Sequence, residues 1–282
     1  MTTIAYLGPP GTFSEAAVLA FDPGATRLPL ASMPAVVAAA EAGQADIAML
    51  PIENVIEGGV STTLDLLIHE TNMRIMGETV LPIRHFLLAR PGTNIAAVQV
   101  LYGHPQSLGQ CRHFIEQNLP QATTVASLSN SAAPAEALAD PRPAAAIGTL
   151  RAAELTGAAI LARDIQDRMG NVTRFIALSR SDHPPTGDDK TSFCFGFAEE
   201  DRAGSLVGAL LELAIAGINM TRLESRPSKQ VLGSYIFVVD INGHREEPRV
   251  AEALKRLGSR TGLLKIFGSY PCWRGNLNGE HG

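Results

Sequence analysis

Nine polar or turn-forming residues, Ser181-Asp182-His183-Pro184-Pro185-Thr186-Gly187-Asp188-Asp189, divide the chain into stretches of different apolar spacing. Consecutive prolines disfavour helix, so this segment is the expected linker and domain boundary. Before it, short β-type runs alternate with helical runs, the pattern of a layered α/β architecture. After it the spacing predicts strand 191–198, helix 205–216, strand 218–225, strand 235–241, helix 249–257 and strand 263–268. That order, β-α-β-β-α-β, is the ferredoxin-like arrangement. Residues 271–282 read as a loose polar tail.

Upstream, 3–7, 26–30 and 46–50 are predicted strands, with helices over 13–21 and from Ser32 to Gly43. Ser32 suits an N-cap, Pro34 falls in the first turn, and Gly43 suits a C-cap. Runs 74–80 and 84–89 are expected to cross into a second lobe, and 160–163 with 173–179 to return. The expected organisation is a bilobal module over 1–180, with lobes of roughly 1–78 plus 160–180 and 79–159, then a small domain over 190–272. Two lobes joined by crossing strands enclose a cleft, where small ligands usually bind.

Composition narrows the class of partner. The charge is 23 − 28 = −5 and only 18% of residues are charged, so a nucleic-acid footprint is not expected. Glu212 interrupts the longest apolar run, 206–218, well short of the ~20 residues a membrane span needs. The opening Met1-Thr2-Thr3-Ile4-Ala5-Tyr6 lacks signal-peptide features, so a cytoplasmic location is expected. Cys111, Cys194 and Cys272 are odd in number and far apart, which argues against disulfides and a thiol zinc site.

Four loops at the carboxyl ends of predicted strands carry more polar residues than packing requires. Gly8–Ser14 offers backbone N–H groups to an anion, although a structural turn fits as well. Pro51-Ile52-Glu53-Asn54 sets a carboxylate beside an amide, although a capping turn fits equally. Gly103-His104-Pro105-Gln106 is followed one turn on by Gln110, with no second His at metal-ligand spacing. Gly170-Asn171-Val172-Thr173-Arg174-Phe175 enters a strand and, taken alone, is an ordinary half-buried strand start.

Read in order, these loops change the picture. With Ser131-Ala132-Ala133, Gly204-Ser205-Leu206-Val207 and Glu224-Ser225-Arg226-Pro227, the chain resembles bacterial prephenate dehydratases carrying a C-terminal ACT domain, from about Ile4 to Pro271. The resemblance implies an α/β fold: a bilobal periplasmic-binding-protein-like catalytic module followed by the ferredoxin-like ACT domain. It implies dehydration and decarboxylation of prephenate to phenylpyruvate on the route to phenylalanine, a redox-neutral reaction needing no cofactor and no metal. Arogenate dehydration and a non-catalytic amino-acid sensor are the alternatives.

The resemblance assigns catalysis to Thr173, Glu53, Asn54 and Gln110, and substrate binding to Thr12, Phe13, Gln106, Ser131, Arg174 and Phe175. The effector phenylalanine is assigned to Gly204, Ser205, Leu206, Val207, Glu224, Ser225, Arg226 and Pro227, between paired ACT domains of a homodimer or homotetramer. A chain cut after Asp189 is expected to be a catalytic module insensitive to phenylalanine. Two positions depart from the family: Gly103 stands where serine is frequent, and Val55 where Ser or Thr is common. Each puts a hydroxyl near the expected site in doubt.

Overall fold

A computed structural model describes residues 1–197, 202–229 and 231–275. Its elements begin with β1 (Thr3–Leu7), α1 (Phe13–Phe21), β2 (Thr26–Leu30), α2 (Met33–Glu41), β3 (Ile47–Asn54), β4 (Gly58–Gly59), α3 (Ser61–Asp65) and β5 (Arg74–Pro82). Next come β6 (Phe86–Ala89), β7 (Val100–Gly103), α4 (Pro105–Gln110), α5 (Arg112–Asn118), β8 (Thr123–Ala126), α6 (Ala132–Ala139), β9 (Ala144–Gly148), α7 (Leu150–Thr156) and β10 (Ala159–Ala162). The chain ends through β11 (Val172–Ser179), β12 (Asp189–Gly196), α8 (Ser205–Ile215), β13 (Met220–Pro227), β14 (Tyr235–Asn242), α9 (Pro248–Gly258) and β15 (Leu263–Pro271).

These strands form three sheets, ordered β2-β1-β3-β11-β5 with β4 on β3, then β10-β6-β9-β7-β8, then β13-β14-β12-β15. In the first, β1 pairs parallel with β2 and β3, while β11 runs antiparallel between β3 and β5. The local signals act as expected at α2, where Ser32 accepts from Ala35 N at 3.3 Å and Pro34 sits in the first turn. After its first five residues the helical run changes pitch, α3 running on as a π-turn over Leu66–Glu70.

Two lobe assignments need correction. Residues 79–82 stay on the first sheet as the end of β5, and Ala159–Ala162 pairs with β6 in the second. The crossings therefore fall at 83–85 and 163–171. Short antiparallel return strands carry no lobe-specific periodicity, because both their faces pack on apolar neighbours.

Each face of the first sheet has its own core. Ile4, Tyr6, Met49 and Phe175 pack with α1 residues such as Val18. Leu50, Ile52, Ile75, Ile176 and Leu178 face the other way, into one cluster with Cys194, Ile236, Val238, Phe267 and Tyr270 of the third sheet. The small domain is thus packed broadside on the first lobe. Gly268 marks the closest approach, since a Cβ there would lie 2.3 Å from the Ile75 carbonyl oxygen.

The third sheet's opposite face carries Phe193, Phe195, Val239 and Ile241 against α8 and α9. The expected linker is also bound in place. Asp182 pairs with Arg245 at 2.7 Å, and Thr186 Oγ1 donates to Asp189 at 2.7 Å. Within the expected loose tail, Cys272 N donates to Asp188 O at 2.9 Å and Arg274 bonds Asp188. Positions 276–282 of that tail, and Ala198 of the expected strand 191–198, lie outside the described residues.

Candidate active site

A cleft of about 780 Å³ lies between the first two sheets. Gly11 is a close contact between them, with φ of +89° and little room for a Cβ, which would come 3.0 Å from Ser131 Cβ. Thr149 Oγ1, from the second lobe, donates to Gly11 O at 2.6 Å.

The register of β11 on β3 places Thr173 opposite Asn54 and Arg174 opposite Glu53. Successive residues of a strand face opposite ways, so the two pairs lie on opposite sides of the sheet. Thr173, Phe175 and Asn54 line the cleft. The Asn54 amide nitrogen donates to Thr173 Oγ1 at 2.9 Å and Asn171 Oδ1 at 2.7 Å, with Val172 O at 3.2 Å. Its Oδ1 accepts from Ile56 N at 3.0 Å and Glu57 N at 3.1 Å. The amide's orientation is therefore fixed by partners at both ends. Thr173 Oγ1 accepts from it, and the threonine's own proton has no protein acceptor among the described residues. That proton is free for a ligand.

Arg174 does not reach the cleft. It is 8% exposed and meets Asp240 at 2.6 Å, Glu78 at 3.1 Å and Glu53 at 3.1 Å. Burial opposes its charge, but Asp240, Tyr270, Glu78 and Glu53 more than reverse this and hold its pKa well above the usual value. Glu53 follows the same face and also lies 4.0 Å from Arg222. The sequence-based roles of Arg174 as substrate ligand and Glu53 as catalyst are thus corrected: strand alternation turns both toward the small domain.

Gln110 enters from the second lobe. Its Nε2 donates to Glu57 Oε1 at 3.0 Å, and its Oε1 lies 3.0 Å from His85 Nε2. The Glu57–Gln110 bond joins a loop of the first sheet to a helix of the second. Thr12 caps α1 by accepting from Glu15 N at 3.3 Å, and Ser129 accepts from Ala132 N at 3.0 Å at the start of α6. Thr12, Phe13 and Gln106 line the cleft; Ser131 sits behind it, 3.0 Å from Ser129 Oγ.

His85, Glu57 and Asn130, to which the motifs gave no role, also line the cleft, as does Asn171 of the fourth loop. The signal for His85 was a lone imidazole in an apolar strand run. Among the described lining residues there is no Arg or Lys, and the single carboxylate is Glu57. Anionic groups would be held by neutral donors and by the N-termini of α1 and α6.

Neither family departure removes a hydroxyl from the cleft. A Cβ on Gly103 would point at Leu108 and Ile147, 3.1 and 3.6 Å away in the second lobe's core. Val55 is 64% exposed outside the cleft lining. Cys111 and Cys194 are buried, which pushes both thiols up to about 12 and leaves no ready thiolate.

The expected effector residues divide between two faces. In β13, Leu223 pairs with Val239 of the helix-covered face, and Glu224 with Val238 of the face toward the first lobe. Arg226 accordingly bonds Asp65 at 3.1 Å and Ser61 at 3.2 Å in the first lobe. Glu224 bonds Arg222 at 2.5 Å and closes over Gly59, whose Cβ would sit 2.3 Å from Glu224 Oε2. Gly204, Ser205, Leu206 and Val207 open α8 on the other face. Glu224 and Arg226 make interdomain contacts within one chain, whereas Ser225 alternates to the helix side.

A two-lobed α/β module with a cleft of neutral donors, backed by a ferredoxin-like domain, defines a small-molecule enzyme with an appended domain. Residues 4–183 match the prephenate dehydratase family and 197–259 the ACT domain, and the chain belongs to that family. The prephenate dehydratase of Mycobacterium tuberculosis (H37Rv) is 39% identical over 283 residues, covering 96% of this chain and 87% of that protein. The crystal structure of the Arthrobacter aurescens prephenate dehydratase in complex with L-Phe superposes with a TM-score of 0.87 at 38% identity, covering 96% of this chain and 90% of that one. GqqA, described as a novel type of quorum quenching acylase, superposes with a TM-score of 0.86 at 33% identity, covering 96% and 98% of the two chains.

Proposed function

We propose that the chain converts prephenate to phenylpyruvate, with Thr173 as the hydrogen-bond donor to the departing hydroxyl. The bond to the ring carboxylate breaks and carbon dioxide leaves. The electron pair passes through the ring and expels the hydroxyl opposite, which departs as water with a proton drawn from solvent. Aromatisation of the ring drives the change. The observation that carries this reading is Thr173 Oγ1, which accepts from Asn54 and keeps its own proton for a ligand. A lining without Arg or Lys suits the same step, because a cation on the ring carboxylate would stabilise the charge that must be lost.

Incubation of the full chain with prephenate should give phenylpyruvate absorbance. Preferential turnover of arogenate would instead select the amino-acid substrate. Likeness to an acylase favours a second assay on an acyl amide. That chemistry needs a nucleophile with a base in reach, and among the described residues no Ser or Thr hydroxyl bonds a histidine.

The L-Phe complex of the Arthrobacter relative supports phenylalanine as effector here, received near Gly204–Val207 at the start of α8. Val207, Leu211 and Ile215 recur every fourth residue on α8 at 68%, 52% and 68% exposure, with Leu223 on the same side of the sheet. An exposed apolar stripe of this kind fits a second copy of the chain. Light scattering should show a dimer or tetramer, and Leu211→Glu should dissociate it. No helix among the described residues is long and apolar enough to cross a membrane.

A further inference from the structure

The Gln110 amide is pinned from both ends, and its partners fix which end is which. A carboxylate only accepts, so the nitrogen must face Glu57 and the oxygen must face His85. His85 therefore carries its proton on Nε2. Its Nδ1 is buried and has no partner among the described residues. A buried acceptor left bare costs on the order of 1–3 kcal/mol, and such groups call for a reason beyond packing.

The imidazole is clamped in place. It is 1% exposed, with its backbone N donating to Gln166 Oε1 at 2.9 Å and the Phe13 ring edge-on at 5.8 Å. Burial lowers its pKa below 6.5, while the bond to Gln110 acts the other way. A neutral ring with one proton is a one-way donor, whereas a water or hydroxyl in its place could turn and accept.

We propose that His85 is a positioning residue for Gln110: its Nε2–H holds the amide oxygen so that the amide nitrogen stays turned toward Glu57 and the cleft. One amide hydrogen goes to Glu57, and the other has no protein acceptor among the described residues. That second hydrogen is the one offered to the substrate. Without the His85 donor, the amide hangs on its single bond to Glu57 and can swing about it, so the second N–H is no longer held toward the substrate. This role rests on the dehydratase reading for its kinetic consequence, but not for its geometry.

Two variants of the full chain separate positioning from packing. In His85→Gln the amide nitrogen falls where Nε2 stood, so the donor is kept. In His85→Asn it falls near Nδ1, so the donor is lost. His85→Asn should lower kcat ~10-fold with KM nearly unchanged, and His85→Gln should recover to within ~3-fold of wild type. Equal kcat in wild type and a folded His85→Asn, or equal impairment of both variants, would overturn the proposal. The geometry is checked without substrate by nitrogen-15 NMR of the histidine rings. A neutral His85 protonated on Nε2 supports it, and a proton on Nδ1 sinks it even if no turnover of prephenate is found.

Discussion

Thr173 and Arg174 are adjacent on β11 and face opposite sides of the same sheet. Thr173 Oγ1 meets Asn54 at the cleft, while Arg174 meets Asp240 of the small domain at 2.6 Å. The side chain that reaches Asp240 and the hydroxyl that faces the cleft thus hang from neighbouring positions of one strand backbone. The ACT domain thereby contacts the strand that carries Thr173 directly, through a buried cation shared among Asp240, Glu78 and Glu53.

Asn54→Asp tests the orientation of the threonine hydroxyl. The carboxylate keeps the acceptor for Ile56 and Glu57 N–H but removes the donor to Thr173, and it faces the Val172 carbonyl. Turnover should fall ~10²-fold, as for loss of one transition-state donor, with circular dichroism unchanged. Unaltered kcat would remove Asn54 from the mechanism.

Arg174→Met removes the cation while nearly keeping its volume. It leaves the buried Asp240 without its closest cation, so unfolding free energy in urea should drop by up to ~3–5 kcal/mol. Adding Asp240→Asn should recover part of that loss, because the stranded carboxylate is gone. A strictly additive double mutant would show that the two residues do not interact.

Acid should weaken the same junction. Burial pushes the Asp240 carboxyl up, but Arg174, Arg222 and the Ser192 hydroxyl more than reverse this and hold it below its ordinary 3.8. A folded pKa below the unfolded one contributes stability that is complete above the unfolded value and lost as pH falls through the folded value. Urea melts should therefore show a decline in stability beginning near pH 3.8 and continuing below it. Asp240→Asn should flatten that limb.

A chain ending at Asp189 should not yield the independent catalytic module that the sequence led us to expect. The cut removes Cys194, Ile236, Val238, Phe267 and Tyr270 from a core shared with Leu50, Ile52, Ile176 and Leu178. It also takes Lys190 from Glu78 and Asp240 from Arg174. Expression should give aggregated or molten protein, checked by gel filtration and dye binding to exposed apolar surface. A monodisperse, cooperatively folding fragment would contradict the shared core.

The periodicity of the chain made the three-sheet α/β architecture readable, and ordered motifs pointed to Thr173, Asn54 and Gln110. Arg174 was misread because a motif gives adjacency, not facing. Its direction depends on strand phase and on a domain far along the chain. The facing of Glu224 and Arg226 was illegible for the same reason: both alternate toward the first lobe while Gly204 opens a helix on the other face. His85 was hidden because a histidine within an apolar run reads as packing until its hydrogen-bond partner, 25 residues away, is brought beside it.

The most direct test is the rate of phenylpyruvate formation from prephenate by wild type, Thr173→Ser and Thr173→Ala, with folding verified for each. A hydroxyl donor polarised by Asn54 predicts that Thr173→Ser keeps most of the activity. Thr173→Ala should lose ~10²–10³-fold in kcat. A Thr173→Ala protein that turns prephenate over at near the wild-type rate would contradict the mechanism outright.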